Sequence, residues 1–184
     1  MSKGKFIFIF TVFVTFFSIE VLAQDSNVFN YTGALGCKKC HKSAKSGAQY
    51  TVWQDNQHSK AFTTLASGEA AKIAKEKGIA DPQKAKECLK CHVTAYDMPA
   101  ERLEAKYAAE EGVSCESCHG PGSAYSKKKV KNAIAAGEID PATVGLLKVT
   151  KETCLKCHNE ESPTYKPFDY EKQKTKIAHP KPKG

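Results

Sequence analysis

The sequence predicts a mainly α-helical fold, arranged as one compact domain with little or no β-sheet. Three observations lead to this prediction. Segments with helix-capping residues and glycine stops follow one another, no segment of useful length shows the two-residue period of a strand, and one short cysteine-histidine motif recurs four times. Aromatic residues make up only 9% of the 184 residues and charged residues 26%. An ordinary apolar core is therefore not expected.

The recurring motif has the form C-x-x-C-H, which is the attachment signature of a c-type haem. The four copies use all eight cysteines of the chain; they are Cys37, Cys40 and His41, then Cys88, Cys91 and His92, then Cys115, Cys118 and His119, then Cys154, Cys157 and His158. We therefore predict four covalently bound haem c groups, each with its iron ligated by the motif histidine. The porphyrins would supply much of the core. The alternative interpretation is two tetra-thiolate zinc sites whose histidines have no role.

The first residues, 1–23, have the pattern of a cleaved signal peptide. Lys3 and Lys5 precede an apolar run that is too short to span a bilayer comfortably, and Val21-Leu22-Ala23 is a small-residue cleavage site. This predicts export to the periplasm, which agrees with haem attachment outside the cytoplasm. An uncleaved membrane anchor is the alternative.

The remaining chain, 24–184, is predicted to form the tetrahaem domain, with 162–184 as an extended tail rich in Pro and Lys. Capping and stop signals predict helices between the motifs. Ser67 is predicted to cap the N-terminus of one helix and Gly78 to end it, and Asp81-Pro82 is predicted to begin another. The predicted helical segments are 47–66, 69–77, 81–88, 100–111 and 123–136.

The formal net charge is +8, and every basic residue except Arg102 is a lysine. Nucleic-acid recognition commonly depends on arginine for bidentate contacts, so no nucleic-acid partner is expected. Haem propionates would offset most of the positive charge. We interpret the lysines as a solvated face that steers redox partner proteins in the periplasm. The composition also allows peripheral membrane contact, and a monomer or a weak homo-oligomer.

The order of motifs resembles that of the tetrahaem cytochrome c-554 family. The resemblance rests on the four haem motifs, on the segment 53–61 with sequence WQDNQHSKA, and on 112–122 with sequence GVSCESCHGPG; it extends over 36–179. It implies a helical protein with haems stacked in close pairs that carries electrons in the periplasm. No catalytic base is visible, which favours an electron carrier over an enzyme. Two alternatives are binding or reduction of nitric oxide or another nitrogen oxide at an open haem, and a filament subunit that borrows ligands from its neighbour.

The chain has too few candidate residues for the sixth ligands of four haem irons. Beyond the four motif histidines, the chain has only His58, His179 and, after the signal peptide, Met98. Three candidates cannot cap four irons. The resemblance assigns His58 to the third haem, opposite His119, and His179 to the fourth haem, opposite His158.

The first and second haems have no assigned sixth ligand. The family places a histidine shortly after CHGPG to cap the first haem, but here the segment contains none. Lys127, Lys128 or Lys129 would ligate only after losing a proton through desolvation, and a solvated charge run is the alternative. The resemblance leaves the second haem open, with Met98 either a ligand or a side chain packed on the porphyrin.

Overall fold

The computed structural model describes residues 28–181, and within them the fold is mainly helical, as predicted. The predicted signal peptide lies outside these residues. Nine α-helices are present in the described part: α1 Ala34–His41, α2 Gln49–Gln54, α3 Ala61–Thr64, α4 Gly68–Glu76, α5 Lys86–His92, α6 Cys115–His119, α7 Lys128–Ala135, α8 Lys151–Leu155 and α9 Tyr170–Ile177. No helix among residues 28–181 is long and apolar enough to cross a membrane.

Short 3-10 helices connect the α-helices; they are Ala44–Ser46, Gln57–Lys60, Ala100–Arg102, Ala109–Glu111 and Pro141–Val144. Residues 28–181 contain no β-strand. A single isolated bridge joins Tyr31 and Leu103 in the same part of the chain. It is supported by the bond from the Tyr31 amide to the Arg102 carbonyl, 2.8 Å, and by the bond from the Glu104 amide to the Tyr31 carbonyl, 2.9 Å.

Helix α4 agrees with the predicted segment 69–77 and with its signals. The Ser67 hydroxyl accepts a hydrogen bond from the Ala70 amide at 3.2 Å, as an N-cap should. Gly78 has φ of 68°, a left-handed conformation that glycine adopts without steric cost, and it follows the helix end.

The predicted helix over 47–66 is wrong as a continuous element, because it breaks at Asn56. The Asn56 side chain accepts a hydrogen bond from the His58 amide at 3.1 Å, and the Asn56 backbone is extended. This local bond competes with the helical pattern. The segment consists instead of α2, a 3-10 turn and α3.

Tertiary pairing and local turns also shorten three other predicted helices. The 100–111 segment keeps only its 3-10 ends, because Leu103 is extended to pair with Tyr31. The 81–88 segment begins as a turn capped by Asp81, and the extended Ala85 precedes α5. The 123–136 segment is helical only from Lys128 onward.

The prediction that 162–184 is extended is wrong for α9. Asp169 caps this helix by accepting from the Lys172 amide at 3.2 Å, and Lys174 pairs with Glu171 one turn earlier. The prolines that suggested an extended tail stand outside α9, where they do not break it.

The apolar interior of the described residues is small. The buried apolar residues are Ala34, Tyr50, Leu65, Ala74 and Val93, and no large side chain among residues 28–181 is less than 2% exposed. A chain of this length normally buries more. The small core is what we expect if bound porphyrins complete the interior.

Candidate haem-binding site

Each C-x-x-C-H motif lies on or at the end of a helical turn. The first ends α1, the second ends α5, the third forms all of α6, and the fourth begins in α8. Residues three apart on a helix share one face. The two cysteines of each motif therefore project to the same side, next to the histidine, which is the arrangement that two thioether bonds and one axial ligand require.

Two imidazole pairs leave room for a metal ion between them. The ring centroids of His58 and His158 lie 6.0 Å apart, and those of His119 and His179 lie 5.9 Å apart. With metal–nitrogen bonds of about 2 Å on each side, two imidazoles sharing one metal ion have centroids about 6 Å apart. Both pairs thus fit a six-coordinate iron.

These pairs differ from the ones that the resemblance implies, because the motif histidines that face His58 and His179 are interchanged. His58 faces the histidine of the fourth motif, whereas His179 faces the histidine of the third. The pairing of His179 with His119 follows from the position of the C-terminal segment, which is held against α2 and the residues just after it. The Gln49 side chain donates to the Pro180 carbonyl at 2.9 Å, and Asn56 donates to the Lys176 carbonyl at 3.4 Å.

Burial favours the neutral imidazole at His58, His119 and His158. It lowers the pKa of His158, and burial together with the neighbouring His158 lowers the pKa of His58. Burial, then His179 and His41, lower the pKa of His119. Neutral imidazole is the form that ligates a metal.

The other two motif histidines are oriented through their Nδ1 atoms. His41 Nδ1 lies 3.2 Å from Gln49 Oε1, and His92 Nδ1 lies 2.6 Å from the carbonyl oxygen of Ala61 at the start of α3. A bond to Nδ1 leaves Nε2 available for a metal, and such partners fix the ring of a ligating histidine.

A cavity of about 680 Å³ adjoins the second motif at Cys88, Cys91 and His92. Helix α4 and the residues that flank it supply apolar side chains to the lining, namely Leu65, Ala70, Ile73, Ala74, Ile79 and Pro82, and the charged Glu69, Lys77, Glu87, Lys90 and Glu161 also line it. Ligand pockets are commonly of this size and character. Its lining contains His92 but no other histidine and no methionine. Met98 is not part of it, so the structure does not support Met98 as a ligand there.

The lysines considered for the first haem, Lys127, Lys128 and Lys129, are all exposed. This agrees with a solvated charge run rather than with a desolvated ligand. The zinc alternative also lacks support. Among residues 28–181, no group of three or more His, Cys, Asp or Glu side chains is arranged to hold a metal ion.

Cysteines of different motifs are neighbours. Cys115 lowers the pKa of Cys37 and Cys37 raises the pKa of Cys115, so the two thiols are neighbours and the first motif lies beside the third. The Cys157 sulfur lies 3.9 Å from the Lys90 carbonyl oxygen, which joins the fourth motif to the second. Burial and the nearby Cys154 raise the pKa of Cys118, which places the third motif beside the fourth. The first motif therefore neighbours the third, the third neighbours the fourth, and the fourth neighbours the second.

Glu116 is the functional candidate that the sequence reasoning missed. It stands inside the third C-x-x-C, is 2% exposed, and accepts hydrogen bonds from three backbone amides. The donors are Thr32 at 2.9 Å, Gly33 at 2.8 Å and Gly122 at 2.6 Å. Glu116 thus binds the start of α1 to α6. One signal was available, because the other three motifs have only Leu and Lys between their cysteines.

Thr94 was also missed, and it connects the second motif to the third. Its hydroxyl lies 2.6 Å from the Ser117 hydroxyl, accepts from the Ser114 amide at 2.7 Å, and bonds to the Gly112 carbonyl at 3.0 Å. A threonine two residues after a haem motif has no sequence signature, and only the structure identifies it.

Comparison with known protein sequences identifies similar proteins. Residues 36–120, which include the first three motifs, match the family model described as "Cytochrome c554 and c-prime". The chain is 33% identical over 156 residues to cytochrome c-554 from Nitrosomonas europaea, an alignment that covers 78% of this chain. The chain spans 63% of the length of that relative. No solved structure matches the chain.

The helical placement of the motifs, the small core and both sequence matches lead to one conclusion. C-type cytochromes bind haem c covalently, and the residues described above fit such attachment. The chain belongs to the cytochrome c-554 family of c-type cytochromes.

Proposed function

We propose that the chain is a periplasmic tetrahaem cytochrome that carries electrons between redox proteins. One observation carries the proposal, namely the adjacency of cysteines from different motifs. Cys37 lies beside Cys115, Cys118 lies beside Cys154, and Cys157 contacts the second motif. When bound, each haem c supplies a reversible one-electron Fe(III)/Fe(II) couple. Four couples in one row suit electron transfer from one end of the protein to the other.

The axial ligands in this proposal follow the observed pairs. His58 and His158 hold the fourth haem, and His119 and His179 hold the third. Both are then bis-imidazole sites. Axial ligation is a main control of haem potential, so the two middle positions of the row should have similar, low potentials.

The two ends of the row differ from its middle. His41 and His92 hold the first and second haems from one side, each oriented through Nδ1. The cavity beside His92 offers no second imidazole or thioether. In this proposal His92 alone, among the residues that line the cavity, would hold the second haem, at one end of the row.

Export is part of the same proposal. The signal peptide, 1–23, delivers the chain to the periplasm, where the cysteines acquire haem and the redox partners reside. The test is a mass measurement and a reductive titration of the purified protein. We expect a mass that exceeds that of the cleaved chain by four haems, and four electrons taken up reversibly per chain. Fewer than four haems or electrons would refute the tetrahaem carrier.

The order of the row has its own test. Removing the second attachment site with Cys88→Ala and Cys91→Ala should leave three haems that still exchange electrons with one another rapidly after flash reduction. Removing the fourth with Cys154→Ala and Cys157→Ala should isolate the second haem and slow its equilibration. Haem content per chain verifies that only one group is lost. Equal kinetics in the two variants would contradict the order.

A further inference from the structure

The outer surface of α1, at the first attachment site, concentrates positive charge. Lys38, Lys39, Lys42 and Lys45 lie within eight residues, and no acidic residue occurs between Asp25 and Asp55. None of the ion pairs found among residues 28–181 involves these lysines. The charges of Lys39, Lys42 and Lys45 are therefore available to a partner, whereas the Lys38 ammonium lies 5.3 Å from the Tyr50 ring centroid.

The carboxylates closest to α1 do not neutralise this charge. Glu111 accepts from the Ala34 amide at 2.7 Å and Glu116 from the Gly33 amide at 2.8 Å, both at the N-terminus of the helix. They are occupied by backbone donors, and Glu116 is buried. The lysines lie toward the other end of α1 and just beyond it.

An apolar contact point and an attachment cysteine share this surface. Leu35 is 49% exposed, and it lines a shallow depression with Lys38, Lys39 and Lys42. Cys40 is the exposed cysteine of the first motif, so the first attachment site opens on this surface. A small apolar contact surrounded by charge is typical of transient protein interfaces, where charge complementarity sets the association rate.

We propose that this lysine face, made of Leu35, Lys38, Lys39, Lys42 and Lys45, docks an acidic redox protein at the first haem. The inference rests on the proposed function and adds to it the chemistry of one partner. An acidic protein is favoured over a membrane surface, because membrane-bound helices insert several large apolar side chains. Helix α1 exposes only Leu35 of that kind among the described residues. The two ends of the row then serve different partners.

The test measures the second-order rate of reduction of the holo-protein by a reduced plant-type [2Fe–2S] ferredoxin, used as an acidic redox probe. The variant is Lys42→Glu with Lys45→Glu, which leaves the C-x-x-C-H motif unchanged. The matched control is Lys72→Glu with Lys75→Glu, two exposed lysines with the same spacing on α4. At low ionic strength we expect the variant to be reduced about tenfold more slowly and the control within about twofold of the wild type. The wild-type rate should fall with added salt and the variant rate should change little.

A second reductant, photogenerated 5-deazariboflavin semiquinone, which is small, uncharged and strongly reducing, separates this inference from the carrier function. It should reduce the wild type and both variants at equal rates. Failure to reduce even the wild type would count against the carrier function itself. Equal ferredoxin rates in all three proteins would overturn the docking surface while leaving the carrier intact. Salt-sensitive binding to phosphatidylserine vesicles that only the Lys42 and Lys45 variant loses, with unchanged ferredoxin rates, would show a membrane contact instead and would also overturn it.

Discussion

Glu116 provides the sharpest test of how the attachment motifs are held together. Its carboxylate accepts from the amides of Thr32, Gly33 and Gly122 at 2.6 to 2.9 Å, and the Thr32 hydroxyl lies 3.4 Å away. Glu116→Ala leaves these three amides without an acceptor in a buried site. Each unsatisfied buried donor costs about 1–3 kcal/mol, so for three donors we expect a loss of about 3–9 kcal/mol in the free energy of unfolding.

Glu116→Gln is the more informative variant because it keeps the shape of the side chain. Its amide oxygen can serve Thr32 and Gly122, which share one carboxylate oxygen, but its NH₂ group then faces the Gly33 amide. One charge-assisted bond is lost, and two donors oppose each other. We expect a loss of about 2–4 kcal/mol.

Urea unfolding of the holo-protein measures these losses, with Trp53 fluorescence as the signal. Trp53 is the single tryptophan of the chain, and haem quenches it in the folded state. Glu138→Gln, an exposed glutamate, is the control and should change stability by less than about 0.5 kcal/mol. A Glu116→Gln variant as stable as the control would refute the reasoning, since the three amides would then have other acceptors. The same variant should raise the potential of the third haem, because a buried negative charge favours ferric iron.

Three further predictions concern ligation, pH dependence and helix capping. His58→Ala should convert one low-spin haem to high spin in electron paramagnetic resonance, with the change at the haem held by His158; an unchanged low-spin count would show that His58 is not a ligand. Burial, followed by nearby carboxylates, raises the pKa of Tyr107 to about 12. Since the unfolded tyrosine ionises near its ordinary pKa of 10.0, this group stabilises the fold below that pH, and the contribution declines as pH rises toward 12. Tyr107→Phe should therefore flatten the fall in stability over this range, and an identical pH profile would contradict the shift. Ser67→Ala should cost about 1 kcal/mol by removing the acceptor for the Ala70 amide, whereas full stability in urea would show that the cap is dispensable.

The helical character of the chain followed from local signals, and the structure confirms it where those signals act alone. Ser67 and Gly78 bound α4 as predicted, because capping and left-handed glycine need only neighbouring residues. Prediction failed where a distant partner or a side-chain bond decides the backbone. Leu103 is extended because Tyr31 pairs with it, and Asn56 interrupts the helix by binding the His58 amide.

The haem-attachment chemistry was determined by the sequence itself. Two cysteines and a histidine within five residues need only one helical turn to reach the same face, so each motif is complete wherever the fold places it. The neighbours of each motif and the partner of each free histidine depended on tertiary structure. They result from long-range contacts, such as Glu116 to Thr32 and Gln49 to Pro180, which join residues far apart in the chain. No local pattern records such contacts, and the structure pairs His58 with His158 and His179 with His119, which differs from the pairing that the resemblance implies.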